Sequence, residues 1–327
     1  MDSEKVLALG VLVAYFLLIF LLFWIILESQ PRATRLPGSV YLFGGLTAIS
    51  FAHTWFSKQW SFQDYETSSP TIDGRLLVRV ANWLVNTGLF EQAWSAVCSH
   101  PLNWWWMLEY AAWSEQLCLF TVGAWTLFLA TEGRHHSIKH LWAYMLLGQV
   151  VAISVASNLF YLALVRSSPA QRASKPRTAS LAQWLSVIVS LVTIGLSPYT
   201  SAQTFLPNLL VMHALLLVPL LPFANSASDK KFGSIRLRSL YTIIVLLSAV
   251  LRTRTVIASA ASFSPLTDPG EWIRALRETL HAHPAQSSIG WDVVWTSISF
   301  FAWRVGAPWA QAQATVDRDA REISKNE

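Results

Sequence analysis

Long apolar runs, separated by short polar connections, make up most of the chain. A helix needs about 20 mainly apolar residues to cross the roughly 30 Å hydrocarbon core of a bilayer at 1.5 Å per residue. Eight runs approach or exceed that length. The pattern therefore predicts eight transmembrane helices, at 6–27, 38–56, 104–130, 141–165, 181–199, 205–223, 237–258 and 291–307.

The predicted fold class is all-α: a polytopic integral membrane bundle forming one domain over residues 1–327, with a polar cytoplasmic tail at 311–327. The first run is too long for the apolar core of a signal peptide and lacks a small-x-small cleavage site, which predicts a retained anchor helix. Segments around 75–94 and 268–280 place polar and apolar residues on opposite helical faces. They predict helices that lie on the membrane surface.

Composition excludes a soluble enzyme. The chain is 53% hydrophobic and 13% charged, whereas soluble domains carry about 25% charged residues. Its 17 tryptophans suit a protein whose rings collect at bilayer interfaces. The net charge of +5 does not indicate a nucleic-acid partner, because the 24 Lys and Arg residues are dispersed among short loops.

The distribution of Lys and Arg predicts the orientation. When loops between eight spans are assigned alternately to the two sides, about 16 basic residues fall on one side and about 8 on the other. Basic loops face the cytosol. We therefore expect both termini in the cytosol, in a multi-pass protein of the endoplasmic reticulum.

No cofactor and no metal are predicted. Cys98 and Cys118 belong to no CxxC or Cys/His pattern, and no membrane segment carries the paired carboxylates that Mg²⁺ on a diphosphate requires. His136 and His140, beside a third histidine, have the i, i+4 spacing of a metal pair. Only Glu132 offers a further ligand nearby, so a metal site is disfavoured there.

Carboxyl groups inside an apolar run are costly unless they are paired, hydrated or neutral. In the third run, helical spacing places Trp105, Glu109, Trp113 and Gln116 on one face, with Glu115 about 120° around the helix. A carboxyl group among indole rings can remain protonated, as a general acid requires. We predict Glu109 as the catalytic acid, Glu115 as second candidate, and the other three residues as substrate-binding. Alternatively, both glutamates join helices or face headgroup water.

Other polar side chains lie within the remaining apolar runs. Those that could bind a substrate there are His53, Trp142, Gln149, Asn158 and Arg252. Each is also consistent with ordinary polar packing between helices. For Arg252 the alternatives are a side chain that reaches the membrane surface and an ion pair with Asp292.

Two stretches, from Gln116 to Arg134 and from His140 to Phe160, resemble the fungal membrane-bound terpene cyclases of the ascofuranone and ascochlorin pathways. The clear match covers about 50 residues, with a looser one from Thr54 to Pro101 and over the remaining spans. The resemblance implies an integral membrane enzyme that acts without metal on an epoxidised farnesyl chain attached to a head group. Such enzymes protonate the epoxide, close the polyene on the carbocation and release a proton.

The sequence thus predicts a membrane-bound cyclase whose partners are a hydrophobic prenylated small molecule and the lipid bilayer. Two alternatives stay open: a small-molecule transporter and a non-catalytic membrane partner protein. A transporter is expected to contain inverted repeats or broken helices, and neither is visible in the sequence. The head group, the product ring and the oligomeric state are left open.

Overall fold

Helices form most of the structure, a computed structural model that describes residues 3–31, 38–68, 75–87, 115–167, 178–221, 233–260, 269–281 and 283–326. A π-helical segment, Phe120–Trp125, leads directly into α4, and β1 pairs antiparallel with β2. The elements are α1 (Ser3–Glu28), α2 (Gly38–Ser68), α3 (Leu76–Asn86), α4 (Thr126–His135), α5 (Leu141–Val150), α6 (Ile153–Arg166), β1 (Thr178–Ala179), α7 (Leu181–Leu196), α8 (Ala202–Leu217), β2 (Ile235–Arg236), α9 (Leu237–Ala260), α10 (Pro269–Leu280) and α11 (Pro284–Asn326).

The all-α class is confirmed, whereas the predicted count of eight transmembrane helices is not. Three described segments are long and apolar enough to cross a membrane: Ser3–Glu28, Leu181–Tyr199 and Gln203–Leu220. They correspond to the first, fifth and sixth predicted spans. The second, seventh and eighth predicted spans lie within α2, α9 and α11, and the first part of the third lies outside the described residues.

The fourth predicted span, 141–165, is wrong as a single helix. Val151 (φ −114°, ψ −75°) and Ala152 (φ −168°, ψ 143°) leave the helical conformation and divide it into α5 and α6. The two helices fold back on each other, because His136 Nδ1, before α5, lies 2.7 Å from Ser167 Oγ, after α6. One continuous helix would hold the ends of this segment about 38 Å apart. We call α5, α6 and the two residues between them the hairpin.

Close packing and one bridging side chain hold the hairpin together. A Cβ atom added to Gly148 would lie 2.8 Å from Cδ1 of Ile153, so a larger residue would displace the Ile153 side chain. The amide of Gln30 donates to the Tyr144 hydroxyl on α5 and to the Leu159 carbonyl on α6, both at 3.3 Å. Hydropathy cannot detect this fold-back, because both helices are as apolar as one span would be.

The hairpin brings three connections to the same end of the bundle. The Arg134 guanidinium donates to the carbonyl of Pro219, and β1 pairs with β2. With the closed base of the hairpin, these contacts collect the described residues 131–140, 166–167, 178–180, 218–221 and 233–236 at one end. The sequence placed the first of these connections on the opposite side from the others, which is wrong because it counted the hairpin as a crossing.

Helix α6 occupies the centre of the bundle. Residues 153–164 are all buried, and they include the polar residues Ser154, Ser157 and Asn158. It packs against α2, α5 and α11. Aromatic rings fill the contacts of α6 with α4 and α11, including Phe128 with Phe160 and Tyr161 with Trp303.

Candidate functional site

A cavity of about 160 Å³ lies at the tip of the hairpin. Helices α2, α8 and α11, the π-helical segment and the hairpin tip all contribute to its wall. The lining combines aliphatic side chains with a few polar ones. The polar residues of the lining are Lys58, Cys118, Thr121, Gln149, His213, Ser288 and Asp292.

The tip lies at the depth of the middle of α1. The hydroxyl of Tyr15, halfway along α1, donates to the carbonyl of Val150 at 3.0 Å, and Val150 is the last residue of α5. If α1 crosses the bilayer, the break in the hairpin is close to the bilayer midplane. Non-helical backbone at that depth requires hydrogen-bond partners from the protein or from water in a cavity.

Lys58 and Tyr15 form a hydrogen-bonded chain to the carboxyl-terminal end of α5. The Lys58 ammonium donates a hydrogen bond to the Tyr15 hydroxyl, and this hydroxyl in turn donates a hydrogen bond to the Val150 carbonyl. The ammonium also lies 4.7 Å from the centre of the Tyr15 ring. A cation is favourable at this end, because the carboxyl-terminal end of a helix carries partial negative charge.

Asp292 accepts hydrogen bonds from the amino-terminal end of α6. One carboxylate oxygen accepts from the N–H of Ile153 at 2.9 Å and the other from the N–H of Ser154 at 2.7 Å. These are donors that a helix start leaves without an intrahelical acceptor. Each open helix end at the tip therefore faces a charge of the sign that its dipole favours.

Sequence reasoning missed Lys58, which it assigned to a loop because hydropathy falls after residue 56. Helix α2 continues to Ser68 and carries Lys58 into the cavity. Ser57 and Ser61 extend the buried stripe of α2 past the predicted end of the span. Helical spacing of small residues was the signal that could have placed Lys58 within the helix, where an ionisable group indicates a functional site.

Gln149 and His213 also line the cavity. Gln149 donates from Nε2 to the backbone carbonyl of His213 at 3.1 Å. His213 Nδ1 lies 2.8 Å from the Leu209 carbonyl, which can only accept, so Nδ1 carries the hydrogen. In the neutral ring, Nε2 then has a lone pair that can take up a proton.

The two predicted acids have different outcomes. Glu109, with Trp105 and Trp113, lies outside the described residues. Glu115 is buried beside α9, where it accepts a hydrogen bond from the Thr255 hydroxyl and lies 3.9 Å from the Arg254 guanidinium. It is absent from the cavity lining as described, and Gln116 is exposed.

The other predicted binding residues are spread over the bundle, and of these only Gln149 lines the described cavity. His53 contacts Trp291, with ring centres 4.6 Å apart. Trp142 is half-buried, and Asn158 is fully buried with neither amide atom bonded to a described residue. Arg252 acts electrostatically on Glu115, while both oxygens of Asp292 bind the backbone of α6.

Compared with known proteins, the chain matches no family model, no curated protein and no solved structure. Its function must therefore be inferred from the cavity and from the residues that form it.

Proposed function

We propose that the chain is a membrane-bound terpene cyclase that performs metal-independent, acid-initiated cyclisation of an epoxidised farnesyl substrate in the cavity at the hairpin tip. One observation carries the proposal. The segment 116–160, which resembles the fungal cyclases, provides more than half of the residues that line this cavity. The part of the sequence that suggests the chemistry is thus the part that surrounds the space available for it.

The cavity lining suits a carbocation reaction. Leu117, Val122, Met212 and Leu216 offer apolar contact to a prenyl chain, and a site within the membrane keeps out water that would quench the cation. The Nε2 atom of His213 can receive the proton that leaves at the end. Because ligand pockets usually measure about 300–1,000 Å³, we expect the cavity to widen when substrate enters.

Glu109 is the proposed proton donor. The other candidate carboxyl groups are less suited to donate a proton. Glu115 contacts Thr255 and Arg254, and Asp292 accepts hydrogen bonds from two backbone N–H groups. Asp64 is exposed. Glu109 lies six residues before Glu115 on the predicted third span. The proposal gives Asp292 a different role, which is to hold the hairpin tip in place.

Conversion of a farnesyl-epoxide phenol tests the function. Membranes that contain the protein are expected to give a product of unchanged mass and different retention time, and a chelator should leave the rate unchanged. Gln149→Ala, in the cavity wall, is expected to lower the rate, whereas Gln116→Ala, an exposed amide, should not. Mass analysis of the extracts measures both. No conversion by folded protein, or activity that a chelator removes and Mg²⁺ restores, would contradict the proposal.

A transporter is the second candidate, because the hairpin is a specific feature that favours it. Transporters often bind substrates near the midplane, between the ends of broken helices, and the tip places Lys58 and Asp292 at such ends. A transporter would move the epoxide between the two sides of sealed vesicles without changing it. Measuring product mass and vesicle content in one experiment separates the two functions.

The hairpin also changes the proposed topology. With α5 and α6 returning to one side, the other seven predicted spans cross the membrane and the termini lie on opposite sides. About 16 Lys and Arg residues then lie on the side that holds the closed end of the hairpin and the carboxyl-terminal tail. The other side has 7. Lys58 is not counted on either side, because it would lie within the membrane. The positive-inside rule now predicts a lumenal amino terminus and a cytosolic carboxyl terminus.

Tag accessibility in sealed microsomes measures this topology. An amino-terminal tag should be protected from protease and a carboxyl-terminal tag should be cleaved. Cleavage of both tags would support eight crossings and both termini in the cytosol, as the sequence alone predicts.

A further inference from the structure

Three potential metal ligands meet at the base of the hairpin. The side-chain ligand atoms of Glu132, His135 and His136 all lie within 4.8 Å of one another, and all three side chains are half-buried. The residue spacing had suggested His136 and His140 as a metal pair, but His140 is not part of this group. The group lies at the carboxyl-terminal end of α4, beside the end of α6.

A hydrogen-bond chain fixes which nitrogen of His136 carries the hydrogen of the neutral ring. The Ser167 hydroxyl donates its one hydrogen to the Leu164 carbonyl at 2.7 Å, so towards His136 it can only accept. His136 Nδ1, 2.7 Å from Ser167 Oγ, must therefore be the donor. The lone pair of the neutral ring is then on Nε2, which lies 3.9 Å from a carboxylate oxygen of Glu132.

This arrangement favours a cation between the two side chains. The imidazole lone pair and the carboxylate oxygen face each other at 3.9 Å, and both are atoms that can bind one metal ion. Helix α4 ends at His135 and α6 ends at Arg166, so the partial negative charges of two helix ends add to that of Glu132. Hydrogen bonding of the second imidazole nitrogen, here to Ser167, is typical of metal-bound histidine.

We infer that Glu132, His135 and His136 form a binding site for a divalent transition metal, with zinc as the expected ion. Two imidazoles and a carboxylate are ligands that zinc accepts, with a water completing four-coordination. Zinc bonds of 2.0–2.1 Å place tetrahedral ligands about 3.3 Å apart. The three side chains must therefore draw together by up to about 1.5 Å, which small rotations of these half-buried side chains allow.

The bound metal would join α4 to the base of the hairpin through His136 and Ser167. This base is separated from the cavity by the length of α5, about 15 Å. The site is therefore independent of the proposed chemistry. Removing the metal should lower thermal stability while leaving any turnover unchanged.

Zinc binding to the purified full-length protein tests the inference. After treatment with a chelator and its removal, added Zn²⁺ should raise the unfolding temperature, and Co²⁺ should give the visible absorption of a low-coordinate site. His136→Asn and Glu132→Gln are each expected to weaken binding at least tenfold. Ser167→Ala should weaken it by about 10–100-fold, as loss of a second hydrogen-bond partner commonly does.

His140→Asn is the matched control, because it removes a neighbouring imidazole outside the group and asparagine tolerates the positive φ of 54° at that position. It should bind zinc like the unmodified protein. Unfolding without metal shows whether each variant is folded. The inference is overturned if zinc has no effect on the folded protein, or if its affinity is the same in the His136→Asn and His140→Asn variants.

Discussion

Replacing Asp292 with alanine is expected to destabilise the protein by several kcal/mol. Its carboxylate accepts the N–H groups of Ile153 and Ser154 at the buried start of α6. Each buried donor left without a partner costs about 1–3 kcal/mol, and the lost charge at the helix end adds up to about 2 kcal/mol. Because domains are stable by only about 5–15 kcal/mol, the folded yield should fall sharply.

Thermal unfolding in detergent, followed by tryptophan fluorescence, measures the effect. Asp64→Ala is the control, since it removes an exposed carboxylate from α2. Asp292→Asn should be intermediate, because its amide keeps one oxygen acceptor but turns two hydrogens towards other groups. Equal unfolding temperatures for the Asp292→Ala and Asp64→Ala variants would show that the two backbone hydrogen bonds do not stabilise the tip.

Glu109→Gln is expected to lower turnover by about 10²–10⁴-fold, the usual contribution of a general acid. Glutamine has nearly the same shape but cannot donate a carboxylic proton, so the protein should remain folded. Initial rates of epoxide cyclisation by equal amounts of folded protein give the measurement.

Glu115→Gln is the matched comparison. Its carboxylate faces Arg254 and the Thr255 hydroxyl, so its loss should lower stability more than turnover. A variant pattern in which Glu109→Gln keeps full turnover and Glu115→Gln loses it would make Glu115 the acid. If both keep full turnover, the proton comes from another group, and Asp292 is the first to test.

The sequence was sufficient for the all-α class because that depends on total apolarity over long windows. It was insufficient for the hairpin because the interruption at Val151 and Ala152 lies between two equally apolar helices. The contacts that fix the hairpin are those of Tyr15 with Val150, 135 positions apart, and of Asp292 with the start of α6, 138 and 139 positions apart. No local pattern contains them.

The same limit explains the candidate site. Residue spacing on one helix could group Glu109 with its tryptophans, but it could not identify groups that meet from different helices. Lys58 and Asp292 come from α2 and α11, and Gln149 and His213 from α5 and α8. Only Gln149 was named as a binding residue from sequence, whereas Lys58 was treated as a loop residue that determines orientation.

The hairpin has a consequence for how the chain is made. Asp292 follows Ile153 by 139 residues, which a ribosome adds in roughly 7–28 s at about 5–20 residues per second. During that interval the first N–H groups of α6 lack their acceptor, and such groups are not tolerated in contact with lipid tails. If the protein lies in a membrane as proposed, the hairpin is made early but obtains this acceptor only after α11 has left the ribosome. Under the proposed topology, insertion of α6 is complete only after the last helix is made, because that helix supplies the acceptor for the first N–H groups of α6.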